Sequence, residues 1–430
     1  MFILYDLIFL VVSLFYLPVY LLKRKLHRGF LRRLGFYPKD LSLSNPIWIH
    51  AVSVGEAITV RGLVEELRKV YLKKRLVLST VTATGNKIAQ GMAKPGDFVT
   101  YLPLDFSFIV RGVIDKISPS LFILAETEIW PNLITYLYRK NIPVIVVNGR
   151  ISDSSYRRYS CLKFLVKQIF NKVNLFCVQT ETDAQRLISL GVLENKIKIT
   201  GNMKFDATEY TDVKKTCLPA GRDYANYRLK LGLGGVQDKL WVAGSTHQKE
   251  EEAILEAYSN LSKDYSNLSL LIAPRHPERT DEIEKIIIKY GFSPNRLSRD
   301  NAKTRDAGLR TIFILDTVGE LTNYYAIADI VFVGGSLVRK GGHNVLEPAA
   351  LGKPVLFGPY MFNFRDIADL FLDNNAGILV QNKTELEENI RDLLRNPSKI
   401  IDIGQREQEL IRQNQGATKR NLEYIIKVRA

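Results

Sequence analysis

The chain has 430 residues, 46% hydrophobic and 24% charged, which is enough for two domains with a core each and excludes a single small module. Sixty Lys and Arg against 45 Asp and Glu leave a formal charge of +15; six of the positive charges, opposed only by Asp6, fall in the first 36 residues, and the remainder is spread without the aromatic-basic interleaving of an RNA reader, so nucleic acid is not an expected partner. Cys161, Cys177 and Cys217 follow no CxxC spacing and the five histidines are scattered, which excludes a disulfide framework, gives no sign of a metal site and points to a reducing compartment.

The first run, MFILYDLIFLVVSLFYLPVYLL, is about as long as a bilayer-spanning helix requires, although Asp6 and Pro18 weaken it. Residues 1–22 therefore either span the membrane or lie within one leaflet. Lys23, Arg24, Lys25, Arg28, Arg32 and Arg33 follow with no acid through Phe36, a cluster that stays on the cytoplasmic side and attracts anionic lipid head groups. No small-residue cleavage site ends the apolar run, so a retained anchor is expected over residues 1–36, with the body of the protein on the cytoplasmic face.

Short apolar runs then alternate with helical stretches: IWIHAVS, RLVLSTVT, SLFILAE, PVIVVNG, LFCVQ and KIKITG in one series, KLWVAGS, LSLLIAP, TIFILD, IVFVGGS, PVLFGP and GILV in a second. Buried strands separated by helices imply parallel sheets covered on both faces. The fold class is α/β: two doubly wound, Rossmann-like domains, residues 37–206 and 239–430, whose last helix is free to pack back on the first domain. Between them, residues 207–238 hold the polar, Pro- and Gly-containing TCLPAGRDY and LGLGGVQDK and read as a linker or insertion. Two such domains facing each other bring the carboxyl ends of both sheets around one cleft, where such sheets bind ligands.

In the first domain, HAVSVGE places Ser53, Gly55 and Glu56 after the first strand at a helix start. A glycine there lets backbone approach an anion or other ligand, and the carboxylate is either a general base or a partner of the positive helix N-terminus. LAETEIWPN ends the third apolar strand with Glu126 and Glu128, which face the cleft or cap the helix that Pro131 opens. TGNMKFD puts Lys204 after the last strand, where an ammonium meets a phosphate, a developing negative charge or only water.

In the second domain, VAGSTHQKEE runs through Gly244, Ser245 and Thr246 into a helix, an arrangement that suits an anion or a simple cap. IAPRHPER sets Pro274 and Arg275 at a strand end, Arg275 having the fork geometry for phosphate or carboxylate. LDTVGEL adds Val318, Gly319 and Glu320 at another strand-to-helix junction. The most distinctive run, FVGGSLVRKGGHNVLEPAALGKPVLFGP, has glycines 334, 335, 341 and 342 before a short helix with Asn344, Val345, Leu346 and Glu347. Its glycines permit backbone to close on a nucleotide, and Glu347 offers two acceptors to ribose hydroxyls. Neither this run nor GLGGVQ has the spacing of a P-loop or a dinucleotide fingerprint.

In order and spacing, HAVSVGE, YLPLD, ETEIWPN, NGRIS, TGNMKFD, AGST, APRHPER, TVGE and GGHNVLEPAALGKPVLFGP resemble the Kdo (3-deoxy-D-manno-octulosonic acid) transferases of lipopolysaccharide synthesis, over essentially the whole chain including the N-terminal anchor. GGHNxLEPA is fairly specific; the Gly-plus-Glu arrangement is shared loosely by glycosyltransferases of the GT-B fold. The resemblance implies a GT-B enzyme at the bacterial inner membrane that transfers Kdo from CMP-Kdo to a lipid A precursor, lipid IVA, with inversion and without metal or cofactor. It implies that Glu56 is the base that deprotonates the acceptor hydroxyl, that Glu126 and Lys204 stabilise the transition state, and that Pro274, Arg275, Val318, Gly319, Glu320, Asn344, Val345, Leu346 and Glu347 contact CMP. Val318 stands where methionine is common in the family, and TCLPAGRDY is an insertion relative to it. The competing readings are another GT-B enzyme using a UDP- or GDP-sugar, a membrane-associated scaffold without activity, and a hydrolytic nucleotide-sugar epimerase.

Overall fold

The computed structural model describes residues 5–11, 13–15, 29–38, 41–210, 222–299 and 310–429. The chain divides into two units, one of Met1–Ala207 with Asn414–Ala430, the other of Thr208–Gln413.

The first unit is built on seven strands, β1 (Ile47–His50), β2 (Leu76–Thr80), β3 (Phe98–Tyr101), β4 (Leu121–Ala125), β5 (Val144–Gly149), β6 (Leu175–Val178) and β7 (Ile197–Ile199), in the order β3-β2-β1-β4-β5-β6-β7. All neighbours are parallel. β1, β2, β4, β5 and β6 are buried at every residue, because helices cover both faces and neither face can be polar. Alternate side chains feed two cores: Trp48, Phe122, Val146 and Phe176 on one face, Ile47, Ile49, Ile123 and Ile145 on the other. Trp48 and Phe122 meet edge to face at 5.1 Å between ring centroids, and full burial of a ring such as Phe122 contributes about 2–3 kcal/mol.

The second unit repeats the plan with β8 (Lys239–Thr246), β9 (Leu268–Pro274), β10 (Ser293–Arg296), β11 (Thr311–Ile314), β12 (Ile330–Val333), β13 (Val355–Phe357) and β14 (Ile378–Leu379), ordered β10-β11-β9-β8-β12-β13-β14 and parallel throughout. In each sheet the strand order reverses beside the first strand of the unit, between β1 and β4 and between β8 and β12. These are the switch points at whose carboxyl edge doubly wound sheets open a crevice.

Several expectations are corrected. Glu126 follows the fourth strand, not the third, because FVTY at Phe98–Tyr101 is an edge strand too short to stand out as an apolar run. β10 is an edge strand with the sequence SPNR, which carries no hydrophobic signal at all. Residues 207–238 are not all irregular: Arg222–Lys230 is a helix, and Tyr227 stacks edge to face on Tyr324 at 5.1 Å while its hydroxyl accepts from Asn323 Nδ2 at 2.8 Å. TCLPAGRDY with Cys217 lies mostly outside the described residues.

The basic cluster also divides. Lys23, Arg24, Lys25 and Arg28 are outside the described residues, but Arg32 donates from Nη1 to the carbonyl of Val99 at 2.9 Å and Arg33 from Nε to that of Leu102 at 3.2 Å. These two cations are tied to β3 and to the residue that follows it. Residues 5–11 and 13–15 are helical, and Asp6 has partners in the body of the first unit. Its carboxylate accepts from the Ser107 amide at 3.1 Å, heading the helix Ser107–Ile117, and from Asn132 Nδ2 at 2.7 Å, while Phe9 meets Phe106 edge to face. Among the described residues no helix is long and apolar enough to cross a membrane.

Candidate active site

In the first unit the chemistry-bearing residues gather at the carboxyl edge of β1, β4 and β7. β1 ends at His50, whose Nδ1 lies 2.9 Å from Ser79 Oγ; complete burial pushes the imidazole down to about 3, so it is a neutral tie between β1 and β2. Two residues on, Ser53 caps the helix Val54–Thr59. Its Oγ accepts from the Glu56 amide at 3.4 Å and donates to Glu56 Oε1 at 2.9 Å, while the Val52 amide donates to Oε2 at 2.7 Å. This is a close relative of the capping box.

Glu56 therefore is a helix-start acid, yet that is not its whole character. Burial and the charge of Glu126 push its carboxyl up to about 7, against the two hydrogen bonds from Val52 and Ser53, and Glu128 adds a further upward push. A carboxyl balanced near neutrality is what a general base needs. Glu126 sits at φ 59°, a left-handed conformation rare for a non-glycine residue, with its amide held by the Val147 carbonyl at 2.9 Å. Its Oε1 lies 3.5 Å from Lys204 Nζ, at the start of the helix Lys204–Tyr210. Glu128, read from the sequence as a second strand-end acid but not carried into the site, belongs to the cluster: burial pushes it up to about 7, and Trp130 Nε1 donates to it at 3.0 Å.

Gly55 is exposed in the first helical turn, where an added Cβ would find only Ser53 Oγ at 3.9 Å. The tight glycine is one that the sequence reading missed, Gly85 of TATGN, whose Cβ would lie 3.3 Å from the Ser53 carbonyl carbon and 2.8 Å from Thr82 Oγ1. The helix Ala83–Met92 packs there against the turn that carries Glu56.

In the second unit Gly244, Ser245 and Thr246 are not at a free helix N-terminus. They belong to β8, with Gly244 opposite Ala273 and Val333 and Thr246 opposite Pro274, and the helix Glu250–Asp264 starts only after a further turn. Thr246 spends its hydroxyl on Glu251 Oε1 at 2.9 Å, and a Cβ on Gly244 would fall 1.9 Å from Tyr325 Oη. The amide donors of the adjoining loops are taken by Glu250. Its fully buried carboxylate accepts from His247 at 2.9 Å, Gly335 at 2.7 Å, Ser336 at 3.0 Å and Leu337 at 2.9 Å. The glycines of the long run also close on their own chain: a Cβ on Gly334 would meet the Ser245 carbonyl at 2.6 Å, and one on Gly342 the Met361 sulfur at 2.1 Å.

What remains open at this edge is specific. Arg275 is exposed at the end of β9, its amide bonded to the Thr246 carbonyl at 3.0 Å, and its guanidinium has no ion-pair partner among the described residues. Burial pushes the Glu347 carboxyl up, opposed by the Asn344 amide at 3.0 Å and by the charge of Arg275, which brings the three together. Asn344 also receives the Leu346 amide at 3.1 Å, so Val345 and Leu346 are buried supports of the short helix Leu346–Ala350. Val318 is 87% exposed; Gly319 has φ 100° and open space around it, and the Glu320 carboxylate is held by the Thr317 hydroxyl. This turn follows β11, next to β9 in the sheet.

The family model described as 3-Deoxy-D-manno-octulosonic-acid transferase (kdotransferase) matches residues 28–207, and that of the Glycosyl transferases group 1 matches residues 240–413. The chain is 35% identical over 403 residues to the 3-deoxy-D-manno-octulosonic acid transferase of Haemophilus influenzae, covering 91% of this chain and 90% of that one. It is 37% identical over 376 residues to a bifunctional glycosyltransferase/methyltransferase of Fusobacterium nucleatum, covering 86% of this chain but only 56% of that longer protein. UDP-GlcNAc 2-epimerase from Neisseria meningitidis, solved with UDP-GlcNAc, superposes with a TM-score of 0.61 over 89% of this chain and all of the epimerase at 16% identity, a likeness of fold of the GT-B kind. With two doubly wound units and this extent of identity, the chain belongs to the 3-deoxy-D-manno-octulosonic acid transferase family, glycosyltransferases that add Kdo in lipopolysaccharide synthesis.

Proposed function

We propose that this Kdo transferase uses CMP-Kdo as donor and a lipid A precursor, lipid IVA, as acceptor, and that it inverts the anomeric centre in one displacement with Glu56 as the base. The observation that carries this reading is the state of Glu56: a carboxyl raised to about 7 by burial and by Glu126, with both oxygens already oriented by Val52 and Ser53. Ionised, it accepts the proton of the acceptor hydroxyl as that oxygen attacks the anomeric carbon; the bond to the CMP phosphate breaks, and its electron pair leaves with CMP. CMP is a good leaving group, so base and electrostatic stabilisation matter more than a strong acid. Lys204, with Nζ 3.5 Å from Glu126 Oε1, offsets the mutual repulsion of the carboxylates and is placed to stabilise the transition state. Arg275, the Val318–Glu320 turn and Asn344–Glu347 receive CMP in the second unit, with Glu347 accepting from ribose hydroxyls.

The reading includes a location. Leu7, Leu10, Val11, Leu14 and Phe15 are exposed on the N-terminal helical residues, a surface that suits contact with acyl chains on the cytoplasmic face of the inner membrane. No metal or cofactor enters the proposed reaction. The test is a transfer assay with purified protein, tetraacylated lipid A precursor and CMP-Kdo generated in situ, in the presence of a chelator, with product mass as readout. Products heavier by whole Kdo units support donor, acceptor and metal independence together, and their mass gives the number of units added. Absence of product while CMP still binds overturns the acceptor; absence of CMP binding overturns the donor and favours a UDP- or GDP-sugar.

A further inference from the structure

Three of the five histidines, apart by as many as 96 residues in sequence, meet at the switch point of the second sheet. His247 directly follows β8, His343 lies in the loop after β12, and His276 follows β9. The His247 and His343 rings are parallel within 4°, with Nε2 to Nε2 at 2.9 Å, and His276 stands edge-on to His247 at 5.7 Å between centroids. Gly335 lies against both: at φ 69° its Cβ would come 3.0 Å from His343 Cδ2 and 3.3 Å from His247 Cδ2. The same two loops are tied together by the four amides on Glu250.

An Nε2-to-Nε2 hydrogen bond needs one imidazole to donate and the other to accept. With both rings neutral, the acceptor ring carries its own hydrogen on Nδ1, and the donor ring keeps a lone pair there. The pair therefore leaves one N–H and one acceptor on the two Nδ1 atoms, and neither Nδ1 has a partner among the described residues. Burial, and after it the positive groups around the pair, hold both rings neutral, His247 down at about 4 and His343 at about 3. The cations are Arg275 from the β9 turn, Arg279 and Lys340, with the His276 ring beside them; the Glu250 carboxylate is occupied by amides and Arg279 by Glu251 and Glu282. Neither Arg275 nor Lys340 has a carboxylate partner among the described residues. Unpaired cations beside an imidazole N–H favour an anion even with the Glu347 carboxyl near Arg275, since Asn344 donates to Glu347 and burial pushes that carboxyl up.

We propose that the His247–His343 pair, together with Arg275, binds an anionic oxygen of the glycosyl donor, the phosphate of the nucleotide or the carboxylate of the sugar acid. The proposal rests on the CMP-Kdo reading above. It adds two residues to donor recognition.

The experiment compares wild type with His247→Asn, His343→Asn and the double variant, measuring CMP affinity by calorimetry and KM for CMP-Kdo in the transfer assay. Each single variant is expected to raise the donor KM about tenfold, and the double variant little further, because the pair acts as one group. A parallel loss of CMP affinity assigns the phosphate; a donor KM that rises while CMP binds as before assigns the sugar carboxylate. Unchanged donor KM and unchanged CMP affinity in all three variants overturn the proposal and leave the donor reading standing. Wild-type protein that binds neither CMP nor CMP-Kdo overturns the donor reading and the proposal with it. Should the variants fail to fold, the imidazole 15N resonances of wild-type protein are followed on adding CMP and then CMP-Kdo. Movement of an Nδ1 signal supports the contact, and unmoved signals at saturation overturn it.

Discussion

At the residue scale, the decisive feature is one carboxyl whose charge is set by burial and then by its neighbours. Glu56→Gln keeps the shape and the hydrogen bond from Ser53 but cannot take a proton, so transfer should fall by about 10²- to 10⁴-fold while CMP affinity stays within twofold. Wild-type turnover in that variant would remove Glu56 from the mechanism. The pH dependence has a definite sign. The active form is the carboxylate, and with its pKa raised to about 7 the group is mostly protonated below that pH, so kcat/KM should fall on the acid side of about 7 and level off above it. Glu128 pushes Glu56 upward, so Glu128→Gln should move this acid limb to lower pH, whereas an unmoved limb would mean that another group titrates there. Nothing in a lone sequence distinguishes this from a capping glutamate, since Ser53 and Glu56 also cap the helix; the distinction comes from burial and from Glu126 and Glu128, which arrive from another strand.

At the scale of elements, loops are held by buried acids. Glu250 gathers four amides from two loops, and Glu250→Gln would replace one acceptor oxygen by a donor facing two of them. A loss of about 3 kcal/mol in unfolding free energy is expected, read as a lower denaturation midpoint. The run TGNMKFD shows the same logic. Besides Lys204 it carries Asp206, which accepts from the Gly416 amide at 2.6 Å and caps the last helix, Ala417–Arg429, while Thr200 receives Arg420 Nε at 2.8 Å and Asn421 Nδ2 at 2.9 Å. Asp206→Ala should cost about 1–2 kcal/mol and expose the C-terminal segment to proteolysis; unaltered stability and unaltered cleavage would show that the cap is dispensable.

At the scale of the whole molecule, the chain leaves its first unit at Ala207 and returns to it at Asn414. The last helix packs on the helix Arg61–Val70, and Ala417 and Ile425 are completely buried in the core that also holds Ile49 and Val147. Removing residues 414–430 should therefore lower the melting temperature of the first unit although the cut follows the second. CMP binding by the second unit should persist in the truncated protein, and equal loss in both units would contradict the division.

Much of this was legible beforehand. Runs such as LFILA and VIVVNG are apolar at nearly every position, and only a parallel sheet covered on both faces buries such strands, so fold class and strand-end location follow from sequence. The edge strands Phe98–Tyr101 and Ser293–Arg296 were not legible, because an edge strand is held by its neighbour's ladder and needs no apolar run. Nor were the roles of charges separated far in sequence: Asp6 caps a helix that starts at Ser107, and Arg32 and Arg33 bond carbonyls at β3 and just after it. The motifs by themselves determined the family. Only the tertiary structure decided which carboxyls are balanced near neutrality, which glycines close on their own chain and which histidines share a hydrogen, because these depend on desolvation and on distances of a few ångströms between segments that the sequence keeps far apart.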